Sequence, residues 1–279
     1  MKRILKIGMD VHTTNYTLCA MEPIIGEDDR VFATIKVTPD YKNILMFIEN
    51  LKMKLGLNDE YDIQCGYEAG CLGYSLYNQL TAAGVKCVIL APTTMLTPQG
   101  VRIKTDMRDA YMIAQCLSYG GYHVVYIPTE TDDSVKEYLR MRNDHKLALK
   151  KIKQQINAFC IRHGCCYDGT KWTLAHLKWL KKLEITNELY RETLDEYMAS
   201  YEEQETKIER YDKRIEEIAE QTRYHDKVKK LECFLGIKTH TALSLIVETG
   251  DFERFAKGNQ YAAYLGLAPG ENSSSDSIH

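Results

Sequence analysis

Short apolar runs bounded by polar or glycine-containing turns mark the first third of the chain. Residues 3–10 (RILKIGMD), 15–21 (NYTLCAM) and 31–37 (VFATIKV) read as three successive strands, with a polar turn at Gly26-Glu27-Asp28-Asp29 before the third. Thr38-Pro39-Asp40 opens a helix in which Ile44, Leu45, Ile48, Leu51 and Leu55 recur at helical spacing. Residues 61–67 (YDIQCGY) form a fourth strand that runs into Glu68, 72–83 a helix stopped by Gly84, and 85–90 (VKCVIL) a fifth strand. After a polar loop at 93–104 a helix is predicted from Asp106 to about residue 117, and 122–127 (YHVVYI) reads as a final short strand before Pro128.

Three strands in succession predict a meander, and the β-α-β alternation that follows predicts parallel strands with helical crossovers. The expected fold class is therefore α/β with a ribonuclease H-like domain over 1–130. A basic helical and coiled-coil segment over 131–230 and a small, mostly α, C-terminal domain over 231–279 are expected to follow.

From about 132 to 232 the strand pattern disappears. Leu194, Tyr197, Tyr201, Gln204, Ile208, Tyr211, Ile215, Ile218 and Thr222 follow alternating steps of three and four, with no Gly or Pro between. That is a heptad seam, predicting a coiled coil or a long helical hairpin in which the polar Gln204 sets register or oligomeric state. Beyond residue 228, Phe234-Leu235-Gly236-Ile237-Lys238 leads into a helix over 243–249, an arrangement like a helix-hairpin-helix element that holds a DNA phosphate. Lys238 stands where such hairpins usually carry a second glycine. A short helix over 259–265 and a polar, serine-containing tail complete the pattern.

Charge changes this picture locally. The 279-residue chain has a net charge of -3, which by itself points to no partner. Segment 136–182, however, carries twelve Lys/Arg against three acids, while 184–226 carries fourteen acids against six bases. Segregated positive charge suits a phosphate backbone, although a solvated helical face has the same look. Lys104, Arg108, Lys146, Lys150, Lys151, Lys153 and Lys238 are the candidate nucleic-acid contacts. No apolar run approaches the ~20 residues of a membrane span, and the N-terminus is interrupted by Asp10 too soon for a signal peptide. A cytoplasmic protein, associated with the nucleoid when active, is expected, with no membrane partner. The nine cysteines include no CxxC pair. The cluster Cys160-x-x-His163-x-Cys165-Cys166 matches no standard zinc spacing, so reduced thiols are expected.

The candidate chemistry lies in carboxylates. Asp106 and Asp109 stand three apart at a helix start and share a face. Two such acids repel unless a cation sits between them; Lys104 and Arg108 are the ordinary partners, and a divalent metal is the functional one. The predicted strand order brings Asp10, at the end of the first strand, and Glu68, at the end of the fourth, toward the same side. Four converging acids suit two Mg²⁺ ions, which prefer hard oxygen ligands and act together on a phosphodiester.

These blocks carry a family resemblance. Ile7-Gly8-Met9-Asp10-Val11-His12, Tyr67-Glu68-Ala69-Gly70-Cys71-Leu72-Gly73, Lys104-Thr105-Asp106-Met107-Arg108-Asp109-Ala110, and the pair 235–251 with 261–274 occur in the order and spacing of one family. The chain resembles the DEDD-type insertion-sequence transposases with a RuvC-like domain, the IS110 family, over nearly its whole length. The resemblance implies a metal-dependent DNA recombinase whose four acids match Asp10, Glu68, Asp106 and Asp109. It implies a coiled coil that supports a dimer or tetramer, and a C-terminal domain whose serine attacks DNA. Ser273 and Ser274 both match that position. It further implies a structured bridge RNA pairing with donor and target DNA, so that base pairing carries sequence choice. Two departures stand out. Ser275 replaces the glycine of the family's Ser-Ser-Gly motif, and only Asp276-Ser277-Ile278-His279 remain where the family continues through a basic segment. A C-terminally truncated chain with a poorly supported serine is therefore expected, and an inactive nucleic-acid-binding remnant is the alternative. A sugar-kinase or actin-like ATPase is a third reading, from Gly8-Met9-Asp10-Val11-His12-Thr13-Thr14-Asn15, but the chain has no second Gly-rich phosphate motif.

Overall fold

A computed structural model describes residues 3–24, 28–56, 61–95 and 105–268, together with the backbone of 273–274 and 277–278. The chain divides into two compact units, Met1–Ile127 and Pro128–His279. The turn residues Gly26 and Glu27, and Lys104, lie outside the described residues.

In the first unit β1 (Arg3–Val11), β2 (Tyr16–Glu22), β3 (Arg30–Val37), β4 (Tyr61–Glu68) and β5 (Lys86–Leu90) form one sheet in the order β3-β2-β1-β4-β5. β1, β2 and β3 pair antiparallel; β1, β4 and β5 pair parallel. This is the ribonuclease H-like order predicted above, with β1 central.

The sheet is covered on both faces. One face of β1, Leu5, Ile7 and Met9, is fully buried against Ile44, Phe47, Ile48 and Leu51 of α1 (Tyr41–Leu55) and Leu76 and Leu80 of α2 (Ser75–Ala82). Asp40 caps α1 by accepting from the Lys42 N–H, and Gly56 ends it at φ 59°, a left-handed conformation that costs glycine little. The opposite face receives α3 (Asp106–Tyr119), whose Ile113, Cys116 and Leu117 pack with Leu90 and Met95. Tyr111 and Gln115 of α3 donate to the Asp29 carboxylate at 3.3 and 3.1 Å, pinning the helix to the start of β3.

The strand expected over 122–127 reduces to one antiparallel bridge, Leu90↔Val124. The segment crosses the free edge of β5 with hydrogen bonds from Ala91 N to His123 O and from Val125 N to Ile89 O. Pro128 follows, and a proline cannot donate to a longer ladder.

The second unit is helical. α4 (Glu130–Arg162) and α6 (Glu188–Ala219) form a long antiparallel hairpin, seen in the pairs Arg142–Asp212 and Lys153–Glu205. The predicted heptad seam faces α4 of the same chain, with Leu194 and Tyr201, beside Met198, packing near Phe159 and Cys160, and Ile215 and Ile218 near Val135 and Leu139. Gln204 meets His145 at 2.9 Å, and His145 also meets Tyr211. α5 (Leu174–Lys182) closes one end of the hairpin. α7 (His225–Glu232) and α8 (Thr239–Thr249) pack on the other through Val228, Leu243, Ile246 and Val247. The turn between α7 and α8 contains Gly236 at φ 90°. α9 (Gly258–Tyr264) follows. In the serine-containing tail, Ser273–Ser274 pairs antiparallel with Ser277–Ile278. No described helix is long and apolar enough to cross a membrane.

Candidate metal centre

The site begins with a missing side chain. On β1, Gly8 and Asp10 share the face that receives α3, because side chains alternate along a strand. A Cβ at Gly8 would lie 2.1 Å from the Ala110 carbonyl oxygen and 2.3 Å from the Ala114 nitrogen. Glycine thus lets the backbone of α3 rest directly on β1. One helical turn before Ala110 comes Asp106, which this contact carries to the end of β1 beside Asp10. Thr105 caps α3 by accepting from the Arg108 N–H, and Asp106 and Asp109 occupy the first turn, where the helix dipole favours negative charge.

Asp10, His12 and Asp106 each bring one ligand atom within 4.8 Å of the others. His12 Nε2 lies 3.2 Å from Asp10 Oδ2. Lys36 Nζ reaches Asp106 Oδ2 at 2.8 Å. Its reach follows from register. Asp10 pairs with Thr17 and Thr17 with Lys36, so the three form one row across β1, β2 and β3 on a single face.

The other two predicted acids are placed differently. Glu68 ends β4 one residue beyond the paired Tyr67 and Met9, as Asp10 does on β1, so the two are neighbours in the parallel register. Glu68 is exposed, and neither it nor Asp109 belongs to the close group among the described residues. Asp109 nonetheless acts on Asp10 through its charge. Burial pushes the Asp10 carboxyl above the usual carboxylate range, His12 offsets part of that, and the charges of Asp109 and Asp106 raise it further. Asp106 is held below the usual range by its hydrogen bond to Lys36.

This electrostatic pattern fits a cation. A carboxylate lifted by burial, and further by two neighbouring acids that His12 offsets only in part, is one whose charged form a divalent ion would favour. His12 and Lys36 are the residues that sequence reasoning did not select. For His12 a signal was present, since Asp-x-His at a strand end puts both groups on one face. For Lys36 there was none, because its partner is 70 positions away.

The candidate nucleic-acid residues are mixed in character. Arg108, Lys146, Lys150, Lys151 and Lys238 are exposed. Lys153 instead pairs with Glu205 and lies over the Trp172 and Tyr201 rings. Lys104 lies outside the described residues, as do the side chains of Ser273 and Ser274. The cysteines form no metal-ligating group among the described residues.

Comparison with known proteins identifies the family. Residues 7–160 match the DEDD_Tnp_IS110 family, described as "Transposase", and residues 228–279 match "Transposase IS116/IS110/IS902 family". "Transposase for insertion sequence element IS1533" of Leptospira borgpetersenii is 34% identical over 261 residues, covering 92% of this chain and 73% of that protein. "Putative transposase y4qE" of Sinorhizobium fredii is 30% identical over 211 residues, 75% of this chain; the chain spans only 51% of that relative's length. Among solved structures, a Thermus thermophilus RuvC aligns over 43% of this chain and 99% of its own, at 12% identity and a TM-score of 0.30. A T. thermophilus RuvC in complex with a Holliday junction substrate aligns over 44% and 99%, at 10% identity and a TM-score of 0.29. Overlaps this loose carry no weight beside the strand order itself. The family matches do: this chain belongs to the IS110 family of insertion-sequence transposases.

Proposed function

We propose that the protein is a metal-dependent DNA recombinase that cuts and rejoins the strands of a mobile element. The observation that carries this reading is the meeting of Asp10 and Asp106, whose ligand atoms lie within 4.8 Å of one another, with the Asp10 carboxyl lifted first by burial and further by the charges of Asp109 and Asp106. In this reading Asp10 and Asp106 hold a divalent ion, Mg²⁺ in the simplest case. Glu68, at the end of β4, and Asp109, in the first turn of α3, would complete a site for two ions. Ions held by these residues would supply polarisation of a phosphodiester and charge stabilisation for the attacking and leaving oxygens. Lys36, paired with Asp106 at 2.8 Å, holds that carboxylate with a positive charge for which a cation at the site would compete.

The finer assignments of this reading are supported by the family resemblance and by the exposed basic residues. Ser273 or Ser274 supplies the hydroxyl that attacks a DNA phosphorus, forming an oxygen–phosphorus bond to the enzyme while the departing deoxyribose oxygen takes up a proton. Exposed Arg108, Lys146, Lys150, Lys151 and Lys238, with Lys104, contact phosphates. A bridge RNA selects donor and target DNA, and the working form is a dimer or tetramer.

The test uses the full chain, its co-purified RNA and plasmid DNA carrying the element ends. Mg²⁺-dependent strand cleavage is expected from the wild type. Asp106→Ala should abolish it while leaving DNA retention on a filter unchanged. Cleavage that survives Asp106→Ala would sink the proposal. DNA retention by a wild type that never cleaves would replace it with a binding remnant.

A further inference from the structure

The third member of the close group is a histidine, and its position has consequences for which metal the site takes. β1 ends at Val11, and the His12 N–H donates to the Asn15 carbonyl at 2.9 Å, which fixes the His12 backbone at the turn into β2. Asp10 lies on the α3 face of β1, and His12, just beyond the strand, turns its ring back toward it. The Asp10 Oδ2 to His12 Nε2 separation is 3.2 Å. Two adjacent ligands of an octahedral ion at about 2.1 Å lie about 3.0 Å apart, so this pair already spans one edge of such a shell. Asp106 offers the third corner within 4.8 Å of both. The His12 and Asp106 side chains, 52% and 41% exposed, have room for the small rotation that closes the triangle.

Donor chemistry then decides the ion. Carboxylates and water alone suit Mg²⁺, whereas an imidazole nitrogen raises affinity for later divalent metals more than for Mg²⁺. Two carboxylates and one imidazole also leave vertices open for water and a phosphate oxygen. The competing account of the same contact is a hydrogen bond that merely steadies Asp10.

We propose that His12 is a nitrogen ligand of the divalent ion held by Asp10 and Asp106, and that it sets this site to favour Mn²⁺ over Mg²⁺. The proposal rests on the metal-dependent reading above, and one experiment separates the two. Mn²⁺ is titrated into the full chain and followed by electron paramagnetic resonance, with Mg²⁺ as competitor. The bound Mn²⁺ is then examined by electron spin-echo envelope modulation, which detects a coordinated ¹⁴N. Stoichiometric Mn²⁺ with a ¹⁴N signal is expected in the wild type. His12→Ala should erase that signal and weaken Mn²⁺ on the order of tenfold, with a smaller change for Mg²⁺. His12→Phe, which keeps a planar ring without the nitrogen, should behave alike. Mn²⁺ bound without a ¹⁴N signal, or a signal that survives His12→Ala, overturns the histidine ligand and leaves the carboxylate site standing. Absence of stoichiometric Mn²⁺ from the wild type, unchanged in Asp106→Asn, overturns the metal centre itself and this inference with it.

Discussion

Gly8 contributes no side chain, yet it fixes the spacing of the candidate centre. A methyl group there would meet the backbone of α3, which cannot step aside as a flexible side chain can. Gly8→Ala is therefore expected to destabilise the first unit by about 1–3 kcal/mol or more, the usual cost of overpacking. It should also weaken divalent-ion binding, because Asp106 rides on the displaced helix. Urea denaturation with and without Mn²⁺ measures both effects; an unchanged midpoint would contradict the close approach. Lys36 makes a second residue-scale prediction. Its hydrogen bond holds Asp106 below the usual carboxylate range. Lys36→Met should let that value rise, and carboxyl-carbon NMR titration would show the Asp106 transition moving to higher pH. Helix spacing, strand order and the family blocks picked out the acids from sequence, while Lys36 reaches Asp106 from another strand of the sheet.

At the scale of elements, the hairpin of α4 and α6 is joined to the start of α7 by one buried carboxylate. Asp132, 8% exposed, accepts from Arg223 Nε at 2.8 Å and from the Tyr224 hydroxyl at 2.7 Å. Thr129, the N-cap of α4, also donates to it at 2.9 Å. The Arg223 guanidinium holds the Asp132 carboxyl down to about 2. A depressed carboxylate stabilises the fold fully above its unfolded value of about 3.9 and loses that contribution as pH falls toward its folded value. Asp132→Asn should thus lower stability by on the order of 2 kcal/mol near neutral pH, with the deficit shrinking below pH 4. Urea midpoints for both proteins between pH 7 and pH 3 check this, and a constant difference would count against it. The heptad seam of α6 was legible as a seam because its period is local. Its partner was not legible. An α4 in the same chain and a second copy satisfy the same pattern, and only the packing of Ile215 and Ile218 with Val135 and Leu139 assigns it to α4.

For the whole molecule, charge separation along the chain turns into charge pairing in space. Basic residues of 136–182 meet acids of 184–226 at Arg142–Asp212, Lys153–Glu205 and Lys181–Glu202. The positive stretch expected to bind nucleic acid is therefore partly neutralised from within, which a linear count of charges cannot reveal. Lys146, Lys150 and Lys151 remain exposed on α4. The double variant Lys146→Glu/Lys150→Glu should weaken DNA binding and reduce the slope of log affinity against log salt by about one per lost phosphate contact. Lys153→Gln should leave that slope nearly unchanged and act on stability instead. Filter binding across a salt series distinguishes them, and equal slopes for all three proteins would remove α4 from the nucleic-acid surface. The sequence by itself determined the order of the first five strands and the helices between them, the ribonuclease H-like arrangement of the first unit and the acids at its strand ends. Each of these follows from apolar spacing between near neighbours or from short contiguous blocks. Tertiary structure alone decided that Lys36 meets Asp106, and that Glu68 and Asp109 stay outside the close group of Asp10, His12 and Asp106 among the described residues. Those meetings depend on strand register and on a helix seated against a glycine, which join positions far apart in the chain.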